Sequence, residues 1–500
     1  MLDKIKITVK DSFLYSLGNI STKIIGLILL PLYTDKLTVY EYGILGTVEI
    51  TIQLMIAAFS FSLNRALSRW YWDQEYKNKQ NSIFFTSLLA TIAGTLLMLL
   101  IFLPFSNRLS QLLLNSEQYS YLFKLMLISA AFQIISRQIL ILIRLKRNVI
   151  QYTVSNILKL IVTLGLTIYF IIVLKKGVEG IVEAQIIGFI FLLLINVKFI
   201  FRNIEPVFES YILKKMLKYS YPLAFSTISG VALIITDKYA IRYIVGMEEM
   251  GLYILGFKIA NILKIFVINS LISAIGPLRF MMMNKSNSKR FYSKLMTYSS
   301  LGFIFLLLVL SLYSKEAIKV LAENHEYWKA YQFVPILCFA QLFELLRQNS
   351  NFGLLVEKKT KIISMITFSV SALNILLNIS FISLFGVFGA PIALLVTQIV
   401  FFALIFHYSQ KYYFIRFELR KVFIMILLSA SIVIISYVFI NSINIYPRII
   451  IKLILIVSFP VLLYFFNFYE KVELDRLRGA WIKWRDPRRW KDNISKIKIK

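Results

Sequence analysis

The residues best equipped for chemistry in this chain are cations set inside long apolar stretches: Lys23, Arg137, Lys159, Lys258, Lys264 and Arg347, with Lys124 nearer a stretch end. Glu49, Glu183, Glu344 and Asp237 oppose them, and the positive charges outnumber the negative ones. A charged side chain at the centre of a bilayer costs about 2.5–3.5 kcal/mol on an insertion scale, so such groups are expected to face a wet interior. Lys and Arg there suit a phosphate or an acidic sugar, Arg as a bidentate fork and Lys as a point charge. Helical spacing gives several of them polar company. Asn19 and Lys23, Glu49 and Gln53, and Gln133 and Arg137 are one turn apart, as are Asn156 and Lys159, and Lys258 and Asn261. Gln341, Glu344, Arg347 and Asn351 make the clearest polar stripe. Among the carboxylates, Glu49, Glu183, Glu344 and Asp237 are the groups able to carry a coupling ion.

Plainer readings stand beside these. Lys124 and Lys198 can snorkel to the headgroups from span ends. Glu344 and Arg347 can neutralise each other within one helix, and Lys258 and Lys264 point about 240° apart around theirs. Asp237-Lys238 reads either as an ion site or, more simply, as a headgroup anchor. Asn374 and Asn378 share a face suited to bonding across helices. The single cysteine, Cys338, rules out an intramolecular disulfide and a cysteine metal site. Two distant histidines, His325 and His407, leave metal or triad chemistry poorly supplied. No metal ligand and no catalytic residue is therefore assigned.

The elements that must position these groups are transmembrane helices. Of 500 residues, 58% are hydrophobic and 16% charged, with mean hydropathy +0.72. A soluble core cannot bury that much apolar surface, whereas a bilayer can. The net charge of +30, from 56 Lys+Arg against 26 Asp+Glu, would otherwise invite nucleic acid. Here the basic residues recur in short clusters between apolar runs, as topogenic loops do, which excludes that partner. Spans are expected near 12–33, 41–64, 81–104, 119–142, 149–174, 178–201, 219–244, 251–275, 294–314, 330–352, 362–384, 387–406, 422–441 and 449–468. The first follows Lys4, Lys6 and Lys10, outruns a signal-peptide core and reads as uncleaved. The runs are continuously apolar and twice the length of a barrel strand, so the fold class is an all-α membrane protein of about 14 spans.

Alternate connections carry the charge: Arg65 to Lys79, Arg144 to Arg147, Arg202 to Lys218, Arg279 to Lys294, Lys358 to Lys361 and Lys411 to Lys421. With the tail from Lys471, roughly 37 basic residues fall on one side against roughly 11 on the other, which sets both termini in the cytoplasm. The tail, with Trp481, Trp484 and Trp490, is either an interfacial segment on anionic headgroups or a disordered topogenic tail.

Self-similarity recurs at one offset. Glu41-Tyr42-Gly43 between the first two spans is matched about 208 residues later by Glu249-Met250-Gly251 between the seventh and eighth. Gly177-Val178-Glu179-Gly180 with Ala184 is matched by Gly386-Val387-Phe388-Gly389 with Ala393. The expected organisation is two six-helix lobes, 1–205 and 206–410, in parallel pseudo-twofold repeat, then two further helices over 411–468 and a basic tail over 469–500. Such a pair of lobes suits alternating access.

Glu357-Lys358-Lys359-Thr360-Lys361, Asn374 and Asn378, and the Gly386-Val387-Phe388-Gly389-Ala390 turn resemble the polysaccharide-biosynthesis flippases. The Glu41-Tyr42-Gly43 turn and Asp237-Lys238 are similar to that family too. These are the flippases of O-antigen, capsule and related repeat units within the multidrug/oligosaccharidyl-lipid/polysaccharide exporter superfamily, and the resemblance runs over roughly residues 1–470. It implies transport of an undecaprenyl-pyrophosphate-linked oligosaccharide across the bacterial cytoplasmic membrane through a cationic lumen. It also implies a proton or sodium gradient as driving force, and a polymerase and chain-length regulator as pathway partners. The rival readings are a lipid II flippase or a multidrug/cation antiporter of the same superfamily, and, in another class, a polysaccharide polymerase or ligase. The short loops on the non-cytoplasmic side speak against the enzyme.

Overall fold

The computed structural model describes residues 26, 28–272, 282, 285, 287–440, 443–471 and 474–475. Lys23, with the start of the first expected span, and the tail from 476 lie outside the described residues. In hydrocarbon a backbone must satisfy its own hydrogen bonds. The apolar runs of this chain do so as helices, and no strand occurs among the described residues. In chain order the α-helices are α1 Leu30–Lys36, α2 Val39–Phe59, α3 Leu63–Trp70, α4 Gln80–Phe102, α5 Ser106–Leu114, α6 Ser120–Leu145 and α7 Val149–Ile172. They continue with α8 Gly177–Ile195, α9 Val197–Arg202, α10 Ser210–Ile244, α11 Met247–Leu263, α12 Ser288–Leu312, α13 Ser314–Leu321 and α14 Val334–Ser350. The last are α15 Phe352–Val356, α16 Thr360–Phe385, α17 Gly389–Tyr412, α18 Leu419–Ile435 and α19 Ile445–Phe465.

Eleven segments of the described residues are long and apolar enough to cross a membrane. One of them, Thr360–Tyr412, is α16 and α17 joined by a tight turn. The protein is a multi-pass, all-helical membrane protein, as its apolar pattern implies. The number of spans is not fixed at fourteen by these segments, because the first span is only partly described and α14 has just 17 residues.

Local sequence sets the helix ends. At the start of α2, Thr38 and Glu41 close a capping box in which each side chain takes the other's backbone N–H. Between α16 and α17 the chain reverses at Gly386, whose φ of +59° is left-handed and costs a glycine little. Helix α10 begins nine residues before the expected span because Lys214, Lys215 and Lys218 lie on it. Charged residues escape an apolar window but are good helix formers. After α11 the helix widens into a π turn over Lys264–Ile268.

Contacts divide the chain into two units, one of residues to Tyr292 with Ser314–Ile415, the other of Ser293–Tyr313 with residues from Arg416 onward. In the second unit Lys294 donates to Glu418 at 2.8 Å and also to Glu470, while the Tyr313 hydroxyl donates to the Ile449 carbonyl at 2.9 Å. In the first unit α2 and α11 cross at the repeated glycines. A Cβ on Gly43 would overlap the Met247 carbonyl oxygen, and one on Gly251 would overlap the Val39 carbonyl oxygen. Both partners and both glycines are related by the same offset of about 208 residues, so the contact is reciprocal, as it is across a twofold axis.

Candidate cationic site

Helix geometry sets the depth of each candidate. Helix α2 rises about 1.5 Å per residue, which puts Glu49 about 15 Å from its start at Val39 and Lys258 at a similar depth on α11. The two meet: Lys258 Nζ lies 3.1 Å from Glu49 Oε2 and 3.2 Å from Oε1, with its ammonium 5.1 Å from the centre of the Tyr42 ring. Two turns further along the same chain, Lys264 stands at the mouth of the π turn and donates to Glu344 Oε2 at 2.8 Å. Arg347 reaches the other oxygen of Glu344 at 3.6 Å and stacks on Phe401 at 4.2 Å. The intrahelical pair expected between Glu344 and Arg347 thus exists, and Lys264 joins it. Lys258 and Lys264 serve different partners, in keeping with their different directions.

The first half of the chain is charged differently. Lys159 is buried on α7 with its ammonium 3.4 Å above the Phe189 ring of α8. A Cβ on Gly188 would overlap the Thr163 hydroxyl and come within 3.7 Å of the Lys159 chain, so the glycine lets α8 approach this closely. Arg137 on α6 is exposed and close enough for the two cations to repel each other. Among the described residues neither has a carboxylate or a hydrogen-bond partner. Polar neighbours are present, but they are bound elsewhere: the Asn156 amide donates to the Tyr152 carbonyl and that of Gln133 to the Ser129 hydroxyl.

The carboxylates proposed for ion coupling are each held by an ammonium. Glu183 sits near the start of α8, where Lys176 donates to it at 2.6 Å and the Tyr121 hydroxyl at 3.3 Å. Asp237 takes Lys238 Nζ at 2.9 and 3.0 Å and the Tyr253 hydroxyl at 2.6 Å, while Lys238 also donates to the Ile234 carbonyl at 2.7 Å. The side chains of this pair are 2% and 5% exposed, which removes the headgroup-anchor reading, since an anchor must reach the lipid surface. Asn374 donates across helices to Thr397 at 3.0 Å, as its face implied, whereas Asn378 donates within its own helix to the Asn374 carbonyl.

Sequence reasoning missed some buried groups. Arg242 reaches the C-terminal end of α5, donating to the Leu112 carbonyl at 2.6 Å and to the Asn115 side-chain Oδ1 at 2.8 Å. Arg448 and Lys452, one turn apart on α19, are 6% and 0% exposed. Their signal is the ordinary one, a cation in or beside an apolar run: the expected span over 449–468 leaves Arg448 just outside and contains Lys452.

The fold is shared with solved transporters. The lipid II flippase MurJ in its inward closed conformation matches with a TM-score of 0.67 at 16% identity, covering 91% of this chain and 100% of that one. An outward-facing multidrug resistance MATE family transporter of the MOP superfamily gives 0.61 at 13% identity, covering 81% and 94%. The chain therefore has the helical membrane fold of that superfamily. The family model described as polysaccharide biosynthesis protein matches residues 8–283, more than half of the chain, and the chain belongs to that family. An uncharacterized membrane protein of Haemophilus influenzae is 25% identical over 267 residues, or 52% of this chain. The chain spans 62% of the length of that curated relative.

Proposed function

We propose that this protein is a flippase that carries a lipid-linked oligosaccharide, bearing a pyrophosphate, from the cytoplasmic to the outer leaflet of a bacterial cytoplasmic membrane. The end of the chain's helices that carries the basic clusters faces the cytoplasm in this reading, with both termini there. Membership of a polysaccharide biosynthesis family supports the cargo class, and the likeness to MurJ and MATE transporters supports a transport cycle in place of chemistry on the glycan. The observation that carries the reading is the charge imbalance. Arg137 and Lys159 stand at membrane depth without a counter-ion among the described residues, while Lys258, Lys264 and Arg347 have theirs. An uncompensated pair of cations is costly unless an anion visits it. A pyrophosphate, with several oxygens for Lys and Arg donors, is such an anion.

A multidrug cation antiporter would need the opposite, a carboxylate left open to a cationic drug, yet Glu49, Glu183, Glu344 and Asp237 each have an ammonium partner. A lipid II flippase shares the same anion chemistry and is the nearer alternative. A proton or sodium gradient drives the cycle in this account, acting at one of those four carboxylates by displacing its ammonium. A polymerase and a chain-length regulator would take the exported unit. The test is complementation of a strain lacking its own flippase: Arg137→Ala with Lys159→Ala is expected to abolish surface glycan at matched expression. Wild-type glycan from the double variant contradicts the proposal.

A further inference from the structure

The two halves of the first unit meet along a seam in which a series of polar contacts runs beside packed side chains. Thr34 donates to the Leu321 carbonyl at 3.0 Å, the Tyr327 hydroxyl lies 3.0 and 2.9 Å from the Leu37 and Thr38 carbonyls, and Arg242 reaches Leu112 and Asn115. Deeper is the ion pair of Glu49 with Lys258; beyond it the Thr51 and Tyr239 hydroxyls lie 2.7 Å apart and those of Ser62 and Thr227 3.3 Å apart. Between these layers the backbones cross at Gly43 and Gly251, where the Gly251 Cβ position is 3.1 Å from Gly43 N. Water can replace the polar contacts, while at the glycine crossing the backbones meet closely with the Val39, Met247 and Ile254 side chains packed beside them.

One ion pair in the site spans the seam. Lys264 and Arg347 take their carboxylate from Glu344, which lies in the same half of the chain. Lys258 takes its carboxylate from Glu49, 209 residues away in the other half. An anion that displaces Glu344 rearranges one half only. An anion that displaces Glu49 breaks a bond between the two.

We propose that Glu49 is a resident counter-ion on Lys258 that latches this seam, and that the phosphate of the cargo opens the seam by taking Glu49's place on the ammonium. The latch rests on the proposed function only in the identity of the displacing anion. The ligand shifts the equilibrium because it binds Lys258 only where Glu49 has left, which is the differential affinity any such shift requires.

The test uses the full chain with Cys338→Ser and one new thiol at Thr47→Cys. Thr47 is buried in the seam, its hydroxyl 3.5 and 3.6 Å from the sulfurs of Met247 and Met250. A membrane-impermeant maleimide is applied from the side of the Thr38 turn to protein in liposomes. Labelling is expected to be slow in this background and about tenfold faster with Glu49→Gln, on the scale of a coupling between two sites. Gly251→Ala should speed it too, because the added methyl meets the Val39 carbonyl. The exchange Glu49→Lys with Lys258→Glu should return it to slow, which separates loss of the latch from loss of the fold. A polyprenyl pyrophosphate should accelerate the parent and leave Lys258→Met unaffected. Slow labelling of a monodisperse Glu49→Gln protein overturns the latch whatever the cargo is. A polyprenyl pyrophosphate that binds the parent without changing its labelling overturns the displacement. One that does not bind at all overturns the cargo reading beneath it.

Discussion

Lys159→Met is the substitution that most sharply separates binding from stability. Met keeps most of the length and apolar stem of Lys while removing the charge. In the folded protein the ammonium is buried with Phe189 as its partner and Arg137 as a repelling neighbour. Holding a cation at this depth costs about 2.5–3.5 kcal/mol. The contact with Phe189 returns about 0.5–2 kcal/mol of that. The difference predicts that Lys159→Met is more stable than wild type by roughly 0.5–3 kcal/mol, with the repulsion from Arg137 adding to the gain. On the proposed function the same variant should lose export, since the cargo's anion would lose its ammonium there. Two assays decide it: the unfolding midpoint of the purified protein in mixed detergent micelles, and surface glycan in the complemented strain. A Lys159→Met protein that is less stable than wild type, or that exports normally, refutes the reasoning.

Three further outcomes follow from the geometry. Asp237→Asn leaves Lys238 buried without its anion and weakens the bond from Tyr253; breaking such a pair costs about 3–5 kcal/mol, and adding Lys238→Met should recover part of the loss in the same unfolding measurement. Thr38→Ala removes one side of the capping box of α2 and should lower stability by about 1 kcal/mol without changing the glycan produced. The Lys294 ammonium holds the Glu470 carboxyl below its usual range, so the contact contributes above the ordinary carboxylate pKa and is lost as pH falls through the lowered value. The hydrogen-exchange protection factor around residue 470, taken against the intrinsic rate at each pH, should fall over that acidic window, and Lys294→Met should weaken that dependence.

Much of the fold was legible in the residues because hydrocarbon leaves few choices. A continuous apolar run of span length must be a helix, and the helices α2, α4, α6 to α8, α10 to α12 and α16 to α19 lie where those runs lie. The repeat was legible as Gly43 and Gly251, but its physical meaning was not. Only in three dimensions do the two glycines meet each other, each admitting the other's backbone. The same holds for charge. A cation inside a span announces itself by type, and Arg137, Lys159, Lys258, Lys264 and Arg347 are legible that way. Whether it is paired depends on residues far away in sequence, such as Glu49 for Lys258 and Glu344 for Lys264. Asp237-Lys238 misled for the same reason: adjacency in sequence says nothing of burial, and packing against Tyr253 and Phe257 decides it.

In the proposed function the cations at membrane depth carry an anionic lipid-linked glycan. Reconstituting the purified protein in liposomes with such a lipid in one leaflet, and following its appearance in the other, tests that claim most directly. Transfer is expected to be saturable, to fall to the protein-free rate in Arg137→Ala with Lys159→Ala, and to be absent for the same glycan on a neutral lipid. Equal transfer of the neutral and the pyrophosphate-linked glycan, or full transfer by the double variant, would contradict it.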